Sequence, residues 1–240
     1  MTIEIVDLTG PLEPSIWLYD PTFPAFSSEP VTRHAEQGFV VQRVTISTHM
    51  GTHTDSLSHL APNEPTLDAV PLSRFVGEAQ VLNVTAGPLA AIDAARLQQA
   101  SGELRRGDIA LIRTGWDAHW YEPDYATSHP FLTLDAAKWL IEVGVKCVGM
   151  DTAGLMDARI DLAPSRRVDD EVVDEVLLRA GVSYVAGLIN LGSVSESRVW
   201  FAALPMKLAG LDGAPVRAIA ILGQRRVGAG IGGHSEEGTP

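Results

Sequence analysis

The chain is poor in cysteine, in positive charge and in long apolar runs, and each shortage removes a class of function. A single cysteine, Cys147, among 240 residues cannot close an intramolecular disulfide. The apolar run at 145–150 predicts a buried thiol with nothing beside it to lower its pKa. Lysine and arginine number 18 against 30 aspartates and glutamates, a net charge of -12. Such a field repels phosphate backbones, which argues against nucleic acid as a partner and suits simple solubility. No uninterrupted apolar stretch approaches the roughly 20 residues that span a bilayer. The acidic opening at residues 1–7 also lacks the apolar core of a secretion signal. A cytoplasmic protein with no membrane partner is the expectation. Internal repeats, low-complexity blocks and long linkers are missing too, so the length suits one large domain or two small ones.

What is present alternates between β and α patterns. Strands are expected at 3–8, 39–47, 78–84, 108–114, 145–151, 182–188, 200–204 and 216–222, from runs rich in β-branched residues. Helices are expected at 92–100, at 134–143 with Thr133 as N-cap and Gly144 past its end, and at 169–180 closed by Gly181. The proline- and aromatic-rich stretch 11–30 predicts an irregular loop held by Trp17, Tyr19, Phe23 and Phe26. Strands dominate the first half and the two types alternate in the second, which gives a mixed α/β class. The glycine-rich end, 223–240, reads as a flexible tail behind a single domain over 1–222.

The informative stretch is Thr48-His49-Met50-Gly51-Thr52-His53-Thr54-Asp55-Ser56-Leu57-Ser58-His59. Three of the seven histidines fall in these residues. Imidazole and carboxylate together suit zinc, manganese or iron. In an extended strand His49 and His53 would stand about 13 Å apart, too far to share an ion. The chain must turn between them, and Gly51 allows it. A turn that gathers His49, His53 and Asp55 supplies three ligands and leaves a position open, as in catalytic sites. Water at that position becomes acidic, and His59 is placed to carry its proton. Elsewhere, His119 and His129 read as surface-loop residues beside residues 120–123. Asp151 reads either as a cap or as a carboxylate that orients a histidine ligand.

The pattern His-x-Gly-Thr-His-x-Asp-x-x-x-His resembles the signature of the cyclase family, which includes kynurenine formamidase, isatin hydrolase and polyketide cyclases. Asp7-Leu8-Thr9-Gly10-Pro11-Leu12 is similar to the family's opening and Val148-Gly149-Met150-Asp151-Thr152 to its central strand. Residues 204–208 and 211–218 are similar to its closing segment. The resemblance implies a swivelling β/β/α fold, His49, His53 and Asp55 as metal ligands, and His59 as acid and base. It also implies an aromatic side chain from the N-terminal loop in the substrate pocket, with Tyr19 aligning best and Trp17 close by. Dimers are common among such relatives, so a homodimer is expected.

Three positions depart from the family pattern. Asp174 stands where relatives with two zinc ions carry a histidine, Ala186 where they carry a bridging glutamate, and Leu57 where proline is usual. Alanine cannot ligate, so one divalent ion per chain is expected, zinc or manganese, with Asp174 as a candidate fourth ligand and Glu175 a weaker one. The leading expectation is a metal-dependent hydrolase that opens an amide, lactam or ester bond of a small aromatic molecule. The alternative is a cyclase or dehydratase of natural-product biosynthesis, metal-free in one version. A binding protein without activity on the same fold is the third reading.

Overall fold

Two runs, Ile109-Ala110-Leu111-Ile112 and Cys147-Val148-Gly149-Met150, are apolar at every position, and such strands need a packed layer on each side. In the computed structural model, which describes residues 3–161 and 171–223, they lie next to each other inside a sheet. In chain order the strands are β1 (Glu4–Asp7), β2 (Ser27–Thr32), β3 (Val41–Thr45), β4 (His53–Asp55), β5 (Val76–Asn83) and β6 (Ala91–Ile92). They continue as β7 (Ile109–Arg113), β8 (Phe131–Leu132), β9 (Cys147–Met150), β10 (Ser183–Val185), β11 (Arg198–Pro205) and β12 (Gly213–Leu222). The helices are α1 (His34–Gln37), α2 (Ala94–Ala100), α3 (Leu134–Val143), α4 (Ala158–Asp161) and α5 (Val173–Arg179).

The main sheet runs β1-β12-β11-β5-β7-β9-β10. Its first three junctions are antiparallel and its last three parallel. Alternation along β7 divides the core. Ala110 and Ile112 face Leu97, Leu140 and Leu177 of α2, α3 and α5, whereas Ile109 and Leu111 face Phe75 and Phe201. Each large side chain so buried contributes roughly 1.5–3 kcal/mol.

The short strand β4 curls the sheet. It pairs with β12 from His53 to Asp55, and His53 also bridges Ala186 just beyond β10. Thr9 bridges Leu188 in the same region. Segments from the two ends of the sheet are thereby tied to one another. The result is the expected mixed α/β domain. Among the described residues no helix is long and apolar enough to cross a membrane.

Helix α3 is as expected, with Gly144 in the left-handed conformation at φ 82° and its amide bonded to the Leu140 carbonyl. Thr133 occupies the N-cap position, but its hydroxyl bonds the Ile92 carbonyl instead of capping. The stretch 11–30 is not all loop, because its end forms β2, which pairs with β3 alone. Pro30 is tolerated there because a two-stranded ribbon needs no amide on its outer edge, and the register shifts between Pro30 and Thr32. Helix α5 starts at Val173; Asp169 and Asp170 of the expected helix lie outside the described residues, as does the expected tail beyond Gly223.

Candidate active site

A cavity of about 310 Å³ opens where the chain leaves β9 and β10. The carboxyl ends of parallel strands are where open α/β sheets place ligands. Ala153, Gly154 and Met156 follow β9, Ala186 follows β10, and Tyr184 belongs to β10. The cavity is completed by His49, His53, Asp55, His59, Leu60 and Asp174, with Tyr19, Asp20 and Phe23 from the N-terminal loop.

The turn required between His49 and His53 exists. Gly51 sits at φ 66°, where a side chain would be strained and would also meet Leu12. Beyond the turn β4 is buried throughout. His53 exchanges backbone hydrogen bonds with Ala186 at 3.2 and 3.0 Å, and the Thr54 hydroxyl donates to the Tyr184 carbonyl. These bonds fix β4 so that His53 and Asp55 project into the cavity. Gly213 lies opposite Asp55 on β12, and a Cβ there would come within 2.8 Å of the His49 ring. A glycine at that position is what lets the ring lie against the strand.

Asp55 is the centre of the cluster. One of its oxygens, Oδ1, accepts from His49 Nδ1 at 2.8 Å and stands 3.6 Å from His53 Nε2. The other, Oδ2, accepts from the Tyr184 hydroxyl at 2.5 Å. Burial would raise the Asp55 pKa, but His49 above all, then His53 and His59, outweigh it and hold the carboxyl well below its usual range. Burial likewise opposes charge on His49, yet Asp55 and then Asp212 overcome it and raise His49 to about 9. Burial wins at His53, whose pKa is lowered despite the attraction of Asp55. His53 therefore stays neutral and able to ligate. Its Nδ1 faces the Gly51 carbonyl at 2.8 Å, so that nitrogen donates and Nε2 offers its lone pair.

Once His49 gives up one of its two ring protons to a bound ion, two imidazoles and one buried, ionised carboxylate form a donor set that suits a borderline divalent cation. Ligand-capable atoms of His49, Asp55 and His59 all lie within 4.8 Å of one another. His59 thus stands close enough to the cluster either to ligate or to exchange protons with what is bound there.

Asp174 is the candidate fourth ligand. It lies in the first turn of α5, only 9% exposed, and lines the cavity. Glu175 instead pairs with Arg179 at 2.7 Å on the outside of the helix. Ala186 lines the cavity and presents only a methyl group to it.

Tyr19 lines the cavity, but Trp17 does not. Trp17 is buried edge-on against Trp120 at 5.5 Å and beside Tyr125 at 5.0 Å. Its large apolar ring finds a closed aromatic core beneath the loop, where it anchors the segment that carries Tyr19. His129 is likewise no surface residue. It is fully buried, whereas His119 is exposed and stacks on Trp116 at 4.3 Å. Asp151 acts as a cap, accepting from the Thr114 amide and hydroxyl and from the Gly115 amide.

Asp212 belongs to the same cluster, although no sequence spacing marks it. It precedes β12, and its Oδ2 accepts from His49 Nε2 at 2.8 Å and from His59 Nδ1 at 3.1 Å. His49 lies 163 residues away in sequence, so spacing could not have revealed the contact. The Leu211-Asp212-Gly213 motif was the one available signal.

Comparison with known proteins agrees with this architecture. Residues 6–156 match the family described as "Putative cyclase". The kynurenine formamidase of Bordetella petrii is 33% identical over 182 residues, covering 75% of this chain and 79% of that protein. The kynurenine formamidase of Geobacillus thermodenitrificans is 29% identical over 215 residues, with 89% and 95% covered. Among solved structures, isatin hydrolase A from Ralstonia solanacearum superposes with a TM-score of 0.77 at 25% identity, covering 91% of this chain and 92% of its own. With the family match spanning more than half of its length, this chain belongs to the cyclase family and is one of its enzymes.

Proposed function

We propose that the protein is a hydrolase of an amide, lactam or ester bond in a small aromatic molecule, working with one divalent ion, zinc or manganese, held by His49, His53 and Asp55. The observation that carries this reading is the convergence of those three side chains and His59 on one cavity. The named activities of the relatives, on a kynurenine formamide and on isatin, supply the bond type. An ion bound there supplies Lewis-acid polarisation of a carbonyl and acidifies water.

The chain's own residues do the rest. Tyr19, Phe23, Leu60 and Met156 give the cavity an apolar wall for an aromatic ring and restrict water around it. His59, on the more exposed side of the cluster, takes a proton from the attacking water and returns it to the leaving nitrogen or oxygen. Asp174 is the candidate for a fourth oxygen ligand, and the methyl group of Ala186 offers nothing to a second ion. Tyr19 is the residue we assign to the substrate.

Replacing His59 with alanine tests the mechanism. Turnover of isatin or of formanilide falls at least a hundredfold, in line with the usual contribution of an acid–base group; unchanged turnover would sink it. Ring closure with loss of water is the second reading, favoured by the methyl of Ala186 where an anion near the ion would otherwise stand. Product mass separates the two, because hydrolysis gains the mass of water and dehydrative cyclisation loses it. We also infer a homodimer. Its support is the apolar surface on the β2–β3 ribbon and the turn that joins it, where Val31, Phe39, Val40, Val41 and Val44 are 46–55% exposed.

A further inference from the structure

We infer that Asp212 is the positioning residue for His59, holding the imidazole so that one chosen nitrogen handles the proton. The inference rests on the assignment of His59 as acid and base, and adds to it the group that sets the tautomer.

A carboxylate can only accept hydrogen bonds. Asp212 faces His59 Nδ1 at 3.1 Å, so that nitrogen carries a hydrogen, and in the neutral ring Nε2 is the one left with the lone pair. A neutral histidine with its other nitrogen engaged in this way has a fixed tautomer and a fixed ring orientation. The same arrangement is what a carboxylate does for a catalytic imidazole in hydrolases of other folds.

The carboxylate is itself held in place. The Asp212 carbonyl accepts from the Ser56 amide at 2.7 Å and from the Ser56 hydroxyl at 2.9 Å. The neighbouring Leu211 carbonyl accepts from the Leu67 amide at 2.9 Å, and Gly213 pairs with Asp55. His59 is anchored to the same turn, its amide donating to the Ser56 carbonyl at 3.0 Å. Ser56 thus ties the backbone of both partners, which fixes their separation. Asp212 Oδ2 also accepts from His49 Nε2 at 2.8 Å, so one oxygen connects the acid–base histidine to a proposed ligand. Asp212 is not among the residues that line the cavity. It acts through His59 and not on a substrate.

The test compares Asp212→Ala, Asp212→Glu and His59→Ala in the full chain, with isatin and formanilide as probes. In Asp212→Ala we expect kcat to fall about 10- to 100-fold, a part of the roughly 100- to 10,000-fold that a positioned acid–base group contributes. KM stays within twofold and the ion content per chain is unchanged. Asp212→Glu, which keeps the carboxylate, recovers part of kcat. Ring-nitrogen NMR on histidine-labelled protein gives a readout that no loss of stability would mimic. In the parent chain His59 is protonated at Nδ1, and in Asp212→Ala it moves toward the Nε2–H form.

The inference is overturned if His59 keeps its Nδ1 proton in Asp212→Ala. It is also overturned if the loss of activity follows a loss of ion, since Asp212 would then act on His49. A full effect of His59→Ala with none of Asp212→Ala removes Asp212 alone. Full activity of His59→Ala removes the assignment beneath it. If neither probe is turned over, the tautomer of His59 decides.

Discussion

Strands β3 and β4 are separated by only a few residues and have opposite fates. Every residue of β3 is exposed, and every residue of β4 is buried. Their own compositions do not account for this, since Val41-Gln42-Arg43-Val44-Thr45 is the more apolar of the two. Neighbours account for it. β3 pairs only with β2, whereas β4 is enclosed by β12, by Ala186 and by the Tyr184 carbonyl. A polar strand such as His53-Thr54-Asp55 can be buried because each polar group finds a partner, and the cost of desolvation is met by hydrogen bonds and opposite charge. The lesson is that the apolar strand serves as a surface while the polar one carries the chemistry.

The largest break in this comparison comes from Asp55→Ala. Removing one partner of a buried, charged cluster costs about 3–5 kcal/mol, because His49 and Tyr184 lose the carboxylate they face. Denaturant unfolding of the ion-free protein reads this loss, and turnover falls on the order of a hundredfold or more with it.

Next in size is the pH response of the protein stripped of ions. His49 is raised from 6.5 to about 9 in the folded chain. Its contribution is fully present below pH 6.5 and is lost as pH rises through about 9. Stability therefore falls across that window, by up to about 3 kcal/mol at 1.36 kcal/mol per pH unit. His49→Asn flattens this slope in unfolding curves recorded at several pH values. Thr54→Val has a smaller effect, about 1–3 kcal/mol, since it removes a fully buried donor from the Tyr184 carbonyl without changing shape. The midpoint of urea unfolding measures it.

On the other side of the comparison, Val41→Thr with Val44→Thr changes the stability of the protomer by less than about 0.5 kcal/mol. Its effect falls on the proposed dimer, which sedimentation at micromolar protein is expected to find weakened. A dimer as tight as the parent's would place the interface elsewhere.

Much of the fold was legible because local rules sufficed. The apolar runs of β7 and β9 announced strands, though not that they run parallel, and Gly144 and Gly181 marked helix ends. The histidine turn was legible because its members lie within eleven residues and Gly51 could be read as the bend. What escaped depended on tertiary contact. The strand β2 was hidden by Pro30, whose usual meaning is an interruption. The burial of Trp17 depended on an aromatic core assembled from separate loops, and that of His129 on packing that its loop sequence does not show. Asp212 enters the site only because Gly213 pairs with Asp55 across β12 and β4. The role of Asp174 was left open by its helical position, and its burial against the cavity was decided by the packing of α5.

The most direct test of the account is ion content by plasma mass spectrometry, on protein purified without chelators and loaded with zinc or manganese, beside His53→Ala. The account predicts about one ion per chain in the parent and close to none in the variant. A parent chain that retains no ion, or a variant that retains as much as the parent, would contradict a metal site built on β4.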